Sequence, residues 1–317
     1  MNFIILIIGF FLLIKGADIF VDGASSIAKK IGIPSVIVGL TIVSLGTSAP
    51  ELAVSLISSF DGSNGIAVGN VLGSNLFNIL VVLGSTAIIT PLAIKKITIK
   101  RDYIITLGAT VLTYVLIFGL SYKSENMLSR VDGIILVIAC ISYIMLLVKA
   151  VRKQGSKDDE NISNISIPKN IVLSIIGVVG IVVGGNLVVD SATNIAYSLG
   201  MSEKLVGLTI VAVGTSLPEL VTSIVASLKG ENDIALGNIL GSNIFNLLLI
   251  LGVSSSISPI AVSGVMAIDF IILIVVTLFI GALIFLNKKE EKKLTRLEGI
   301  ILVGIYVAYL FYIIMRN

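Results

Sequence analysis

A stretch of 48 residues occurs twice in this chain. Residues 37–84 read IVGLTIVSLGTSAPELAVSLISSFDGSNGIAVGNVLGSNLFNILVVLG. Residues 205–252 read LVGLTIVAVGTSLPELVTSIVASLKGENDIALGNILGSNIFNLLLILG, identical at 29 of the 48 positions. The offset is 205 minus 37, or 168, and it carries on ahead of each copy, pairing Gly16 with Gly184, Asp22 with Asp190 and Gly32 with Gly200. A repeat this long means that the chain is two versions of one unit.

Each unit is too apolar for water. Of the 317 residues, 56% are hydrophobic and only 13% are charged, against roughly 25% charged in soluble domains. A membrane-crossing helix needs about 20 mostly apolar residues. Such runs fall at 3–25, 33–60, 65–91, 103–121, 131–151, 170–195, 203–228, 233–258, 266–286 and 296–315. The chain is therefore predicted to be an all-α membrane protein of ten transmembrane helices. The N-terminus lacks the basic flank and cleavage site of a signal peptide, so its run is read as a retained first span. The second, third, seventh and eighth runs hold Gly, Ser, Thr, Asn and Pro, which suits buried, interrupted helices around a centre better than lipid-facing ones.

Basic residues set the orientation. With the N-terminus outside, the cytoplasmic connections hold 17 of the 22 Lys and Arg residues. The other side holds Lys123, Arg130, Lys204 and Arg316, and Lys15 lies inside the first span. That asymmetry predicts a multi-pass cell-membrane protein with both termini outside. Residues 1–151 form the first five-helix repeat, 152–169 a cytoplasmic linker and 170–317 the second repeat. Five is odd, so the second repeat enters from the opposite side. Inverted repeats of this kind place their binding site near the midplane, between the halves.

There is no histidine and one cysteine, Cys140. Imidazole and thiolate metal sites are excluded, which leaves oxygen ligands and hard cations. Nothing in the chain is equipped for enzymatic chemistry, no cofactor is implied, and the basic residues, confined to helix ends, do not suggest nucleic-acid binding.

The repeated motif carries the chemistry. In GTSAPE (46–51), Pro50 cannot donate to the carbonyl of Gly46, and Pro218 does the same to Gly214 in GTSLPE (214–219). Backbone oxygens freed at membrane depth need a partner, and a cation is one. Thr41, Ser44, Ser48, Glu51 and Ser55 lie on one helix face, as do Thr209, Ala212, Ser216, Glu219 and Ser223. Asn70, Ser74 and Asn78 recur every fourth residue, as do Asn238, Ser242 and Asn246. Gly39, Gly46, Gly69 and Gly73, with their partners, allow close backbone approach. A single hydroxyl can be explained by a bond to its own helix. Glu51 and Glu219 cannot be dismissed so easily: a carboxylate at membrane depth costs several kcal/mol unless neutralised, and neither motif contains Lys or Arg. Two carboxylates match one divalent or two monovalent cations, so calcium and sodium could compete for the same oxygens, which is the logic of antiport. By contrast, Lys15 and Asp18 read as a mutual pair, and Asp102, Asp132, Asp269 and Glu298 as solvated residues near helix ends.

The paired G-T-S-x-P-E and G-N-x-x-G-S-N-x-F-N segments resemble the alpha repeats of the sodium/calcium exchanger family, within the cation/calcium antiporter superfamily. The resemblance implies a ten-helix antiporter with four ion sites in a diamond between spans 2, 3, 7 and 8. It implies that Glu51 and Glu219 ligate calcium with the backbone carbonyls of Thr47 and Thr215. Sodium would use the same Glu pair, Ser48, Ser74, Ser216 and Ser242, and the carbonyls of Ser44 and Ala212, with Asn78 and Asn246 completing the centre. Spans 1 and 6 would slide across the core to alternate access. Some similar prokaryotic members have Asp where Asn246 stands, which leaves ion stoichiometry open. The expected partners are sodium, calcium and the lipid bilayer, with the protein working as a monomer. Calcium exchange coupled to protons or potassium, and a cation channel, are the alternatives.

Overall fold

The computed structural model describes residues 2–60, 64–119, 126–154, 166–201, 212–286 and 291–316. Among them eight helices are long and apolar enough to cross a membrane, or nine when one bent pair is counted as a span. In chain order these and the shorter helix are α1 (Asn2–Ile31), the bent pair α2 (Ser35–Thr47) and α3 (Ala49–Phe60), α4 (Ala67–Ile89), α5 (Ile99–Gly119), α6 (Arg130–Val151), α7 (Ile167–Ser198), the shorter α8 (Leu217–Leu228), α9 (Asn232–Ile257), α10 (Met266–Phe285) and α11 (Arg296–Arg316). A single turn, Ala212–Gly214, precedes α8. The first part of the expected seventh span, including Thr209, lies outside the described residues.

Burial separates two kinds of helix. In α9, 89% of the most apolar window is buried and in α4 72%, against 22% in α6 and α11. The polar-speckled helices thus fill the interior, and the uniformly apolar ones turn hydrophobic side chains such as Ile138, Ile300 and Phe311 outward, as lipid-facing surfaces require.

The interruptions are of two types. Between α2 and α3 the chain bends by 49°, next to Pro50, whose ring and missing N–H break the helical ladder. Pro218 opens α8 after the matching break at Ser216. The third and eighth spans, expected to be interrupted, are instead continuous. No proline falls within α4 or α9, and the irregularity is confined to π turns at Asn78–Val82 and Asn246–Ile250, a local widening often found at functional sites.

α1 and α7 pack along each other in antiparallel fashion. A Cβ on Gly9 would meet Gly184 and Val188, one on Gly16 would meet Gly177, Gly180 and Ile181, and one on Gly23 would meet Asn170 and Ser174. Backbone-to-backbone approach of this closeness is what small residues at helix interfaces permit. Gly39 on α2 and Gly237 on α9 make a second such contact. Among the described residues a Cβ on Gly69 would meet only Met266, at 3.9 Å, and one on Gly73 nothing within 4 Å, so neither shows the close approach expected.

Two short ladders were not anticipated from the helix pattern. β1 (Leu92–Lys95) pairs antiparallel with β4 (Glu291–Leu294), and β2 (Met127–Leu128) with β3 (Ile260–Ala261). Leu92 stands opposite Leu294 and Leu128 opposite Ile260. Each ladder ties a connector of one half to a connector of the other.

Of the four acids expected to be solvated, Asp102, Asp132 and Asp269 are buried and Glu298 is partly exposed. Asp102 is fully buried and accepts from Nε and Nη2 of Arg101, one bidentate guanidinium edge, with Tyr143 Oη donating at 3.4 Å. Asp269, 4% exposed, receives two bonds from Arg316, at 3.0 and 3.1 Å, and one from Tyr309. Asp132 and Glu298 close capping boxes with Ser129 and Thr295 at the starts of α6 and α11, satisfying N–H groups that a helix start leaves free. Charges at this depth persist only when paired or bonded.

Candidate functional site

The break in each half delivers a carboxylate to the interior. Glu51 lies in the first turn of α3 and Glu219 in the first turn of α8, where the free N–H groups favour negative charge. Both are 0% exposed, and each accepts a serine hydroxyl from the segment that carries the other.

Serines hold one oxygen of each carboxylate. Glu51 Oε1 accepts from Ser74 Oγ on α4 at 3.3 Å and from Ser216 Oγ, just ahead of α8, at 3.2 Å. Glu219 Oε1 accepts from Ser242 Oγ on α9 at 3.3 Å and from Ser48 Oγ, at the α2–α3 break, at 2.8 Å. Each carboxylate is therefore bonded once from its own half and once from the other. Among the described residues the second oxygen of each, Oε2, has no hydrogen-bond partner, and neither do Asn78 Oδ1 and Asn246 Oδ1. These four oxygens can only accept. Buried acceptors without a donor carry a desolvation cost that a bound cation removes, and an oxygen-only set of this kind suits calcium or sodium.

The structure therefore brings Glu51, Glu219, Ser48, Ser216, Ser74 and Ser242 together as the sequence predicts. Asn78 and Asn246 are fully buried at the start of the π turns. Thr47 Oγ1 donates to Asn238 Oδ1 at 3.0 Å. Ser44 is partly diverted: its hydroxyl donates to Thr41 O, and its carbonyl accepts from Ser48 N at 3.0 Å and Thr47 Oγ1 at 3.3 Å. Thr41 donates to Ile37 O within its own helix. Thr215 Oγ1 is buried and unpartnered, beside a cavity of about 270 Å³ lined also by Pro50, Pro218, Gly185, Asn186 and Asp190. Ala212 opens the single turn ahead of the break.

Two pairs support the centre: Asn70 and Asn238, which lie on the expected stripes, and Asn75 and Asn243, which escaped the face-by-face reading. Asn70 Nδ2 donates to Glu51 O and Ser55 Oγ at 3.3 and 3.2 Å, and Asn238 Nδ2 to Glu219 O and Ser223 Oγ at 3.3 and 3.0 Å. These bonds staple α3 to α4 and α8 to α9. Asn75 and Asn243, one position off the polar stripe, bond across the halves. Their presence in both copies of the G-S-N-x-F-N segment was the available signal.

Fold and centre together define an integral membrane protein whose helical core encloses an acidic, oxygen-lined pocket contributed by both halves. Residues 1–149 and 169–315 match the family described as sodium/calcium exchanger protein, and the chain belongs to that family. It is 34% identical to the sodium/calcium exchanger MaX1 of Methanosarcina acetivorans, covering 98% of this chain and 99% of that one. It is also 34% identical to the inner membrane protein YrbG of Escherichia coli, over 96% and 94% of the two chains. A solved structure of the sodium-calcium exchanger NCX_Mj superposes with a TM-score of 0.83 at 31% identity, covering 98% of each chain.

Proposed function

We propose that this protein is a secondary active antiporter that exchanges sodium for calcium across the cell membrane by alternating access. The observation that carries the reading is a set of four acceptors without a hydrogen-bond partner among the described residues, Glu51 Oε2, Glu219 Oε2, Asn78 Oδ1 and Asn246 Oδ1, all on fully buried side chains.

Glu51 and Glu219 hold calcium together with the carbonyls of Thr47 and Thr215. Sodium ions use the same two carboxylates with Ser48, Ser74, Ser216 and Ser242, the carbonyls of Ser44 and Ala212, and the two asparagines. The serine hydroxyls donate to the carboxylates, which leaves their lone pairs to face an ion. Two negative charges are neutralised by one calcium or by two sodium ions. The two cannot be bound together without excess charge, so loading one displaces the other. A protein that reorients only when neutralised then couples their fluxes.

The architecture in this reading is ten spans in two inverted five-span halves, 1–151 and 170–317, joined by a cytoplasmic linker at 152–169, with both termini outside. The antiparallel packing of α1 on α7 supports inversion, since Gly9 and Gly177, and Gly16 and Gly184, are repeat equivalents. The ladders support it too: the pairing Leu92–Leu294 has its counterpart in Ile260–Leu128. Reciprocal contacts of this kind mark a two-fold relation. α1 and α7 slide as a pair across the core to change access. The whole site comes from one chain, which supports a monomer.

The deciding test is uptake of radioactive calcium by proteoliposomes loaded with sodium. An outward sodium gradient drives uptake if the reading holds, and no uptake above ungraded vesicles rejects it.

A further inference from the structure

Asn75 and Asn243 are buried at 0% and 1% exposure and contribute no free oxygen to the centre. Asn243 Nδ2 donates to the backbone carbonyl of Asn75, and Asn75 Nδ2 to the backbone carbonyl of Asn243, both at 3.3 Å. A carbonyl can only accept, so each amide must turn its NH2 toward the other half. That commits the Oδ1 of both residues to face the opposite way, as acceptors. Asn78 Nδ2 donates to Asn243 Oδ1 at 3.1 Å, and Asn246 Nδ2 to Asn75 Oδ1 at 3.0 Å. With their NH2 groups engaged, Asn78 and Asn246 present Oδ1, which has no hydrogen-bond partner among the described residues.

We infer that Asn75 and Asn243 are positioning residues that fix the amide orientation of Asn246 and Asn78, so that both present a carbonyl oxygen to the ion. The chain of constraint begins at two backbone carbonyls and ends at two ligand oxygens. An amide is nearly symmetric in shape, and a 180° flip would replace an acceptor with a donor aimed at a cation. The cross-bonded pair makes that flip cost a buried hydrogen bond on each side. Because the bonds run between halves, the orientation of each ligand is set by the opposite repeat. This inference rests on the ion-binding centre proposed above.

The test is a double-mutant cycle, read by calcium calorimetry on purified protein and, separately, by sodium-driven calcium uptake. Asn243→Ala releases the Asn78 amide and is expected to weaken calcium binding by about 10- to 100-fold, the range found when partners that orient metal ligands are removed. A carboxylate has two acceptor oxygens and no orientation to fix. In an Asn78→Asp background the same Asn243→Ala change is therefore expected to lose its effect or reverse it. A loss of equal size in both backgrounds overturns the inference, because Asn243 would then be acting on packing alone. If Asn243→Ala does not fold, the mirror cycle of Asn75→Ala with Asn246→Asp decides by the same criterion, and failure of both double variants to fold also overturns it. No calcium binding by the wild-type chain defeats the antiport reading itself, whereas wild-type binding with an unaltered Asn243→Ala variant defeats only this inference.

Discussion

Glu51→Gln is the sharpest perturbation of the centre. The glutamine carbonyl can keep the bonds from Ser74 and Ser216, so the local structure should survive. What changes is the second oxygen, now an NH2 donor placed where an acceptor was. At a calcium–oxygen distance of about 2.4 Å and an effective dielectric of about 20, one carboxylate attracts calcium by about 14 kcal/mol gross. Most of this is offset by dehydration of the ion. If only a third survives, about 4–5 kcal/mol, calcium affinity falls by more than about 10³-fold. Glu219→Gln should behave alike. The assay is thermal melting with and without calcium, alongside proteoliposome uptake. Without ions, each variant should melt at or above the wild type, because one of the two fully buried acids has become a neutral amide and no longer carries a charge's desolvation cost. With calcium, only the wild type should gain stability, since ligand stabilisation follows the ratio of free ion to Kd. Half-saturation within a few-fold of wild type in both variants would refute the reasoning.

Three further outcomes are expected. Lys229 bonds Asp18, Asp22 and the Asp18 carbonyl at 2.6–2.8 Å, but partly exposed pairs are worth about 1 kcal/mol or less each; Lys229→Met should lower stability by about 1–2 kcal/mol, and 0.5 M salt, about 0.5 M being enough to screen such pairs, should erase most of the difference. Burial raises the Glu231 carboxyl, but bonds from Lys29 and Ser25 outweigh it and hold the group below its ordinary 4.5. Its stabilisation is thus present above pH 4.5 and lost as pH falls through the depressed value, so the gap in melting temperature between wild type and Glu231→Gln should close on acidification. A Cβ at Gly16 would lie 2.6 Å from Ile181 N and 2.8 Å from Gly177 O, backbone atoms that cannot swing aside, so Gly16→Ile should cost about 1–3 kcal/mol in a melt, whereas Gly16→Ile at wild-type stability would contradict the packing.

The centre was legible because its residues come in two copies and because unpaired acids in an apolar run have few explanations. Glu51, Ser48, Ser74 and their counterparts needed only helical spacing to be placed on one face. What spacing cannot show is where a hydroxyl spends its bond: Thr41 and Ser44 share that face, yet both donate to their own helix. The acids misread as solvated failed for a related reason. Asp269 is neutralised by Arg316, 47 residues away, and Asp102 is capped by Tyr143, 41 residues away, contacts that only the packed bundle creates. The ladders between connectors are equally non-local, and four-residue strands leave almost no periodic trace.

The glycine-lined seam between α1 and α7 bears on how such a molecule moves. Two rods that meet through backbone atoms, with few side chains interlocked, resist separation because every ångström of gap forfeits close contact. Lengthwise displacement of one along the other is resisted too, because Val188 sits against Gly9, Phe20 against Gly177 and Ser174 against Gly23. A contact of that texture welds the two rods into one stiff beam, so that whatever pushes on either must carry both.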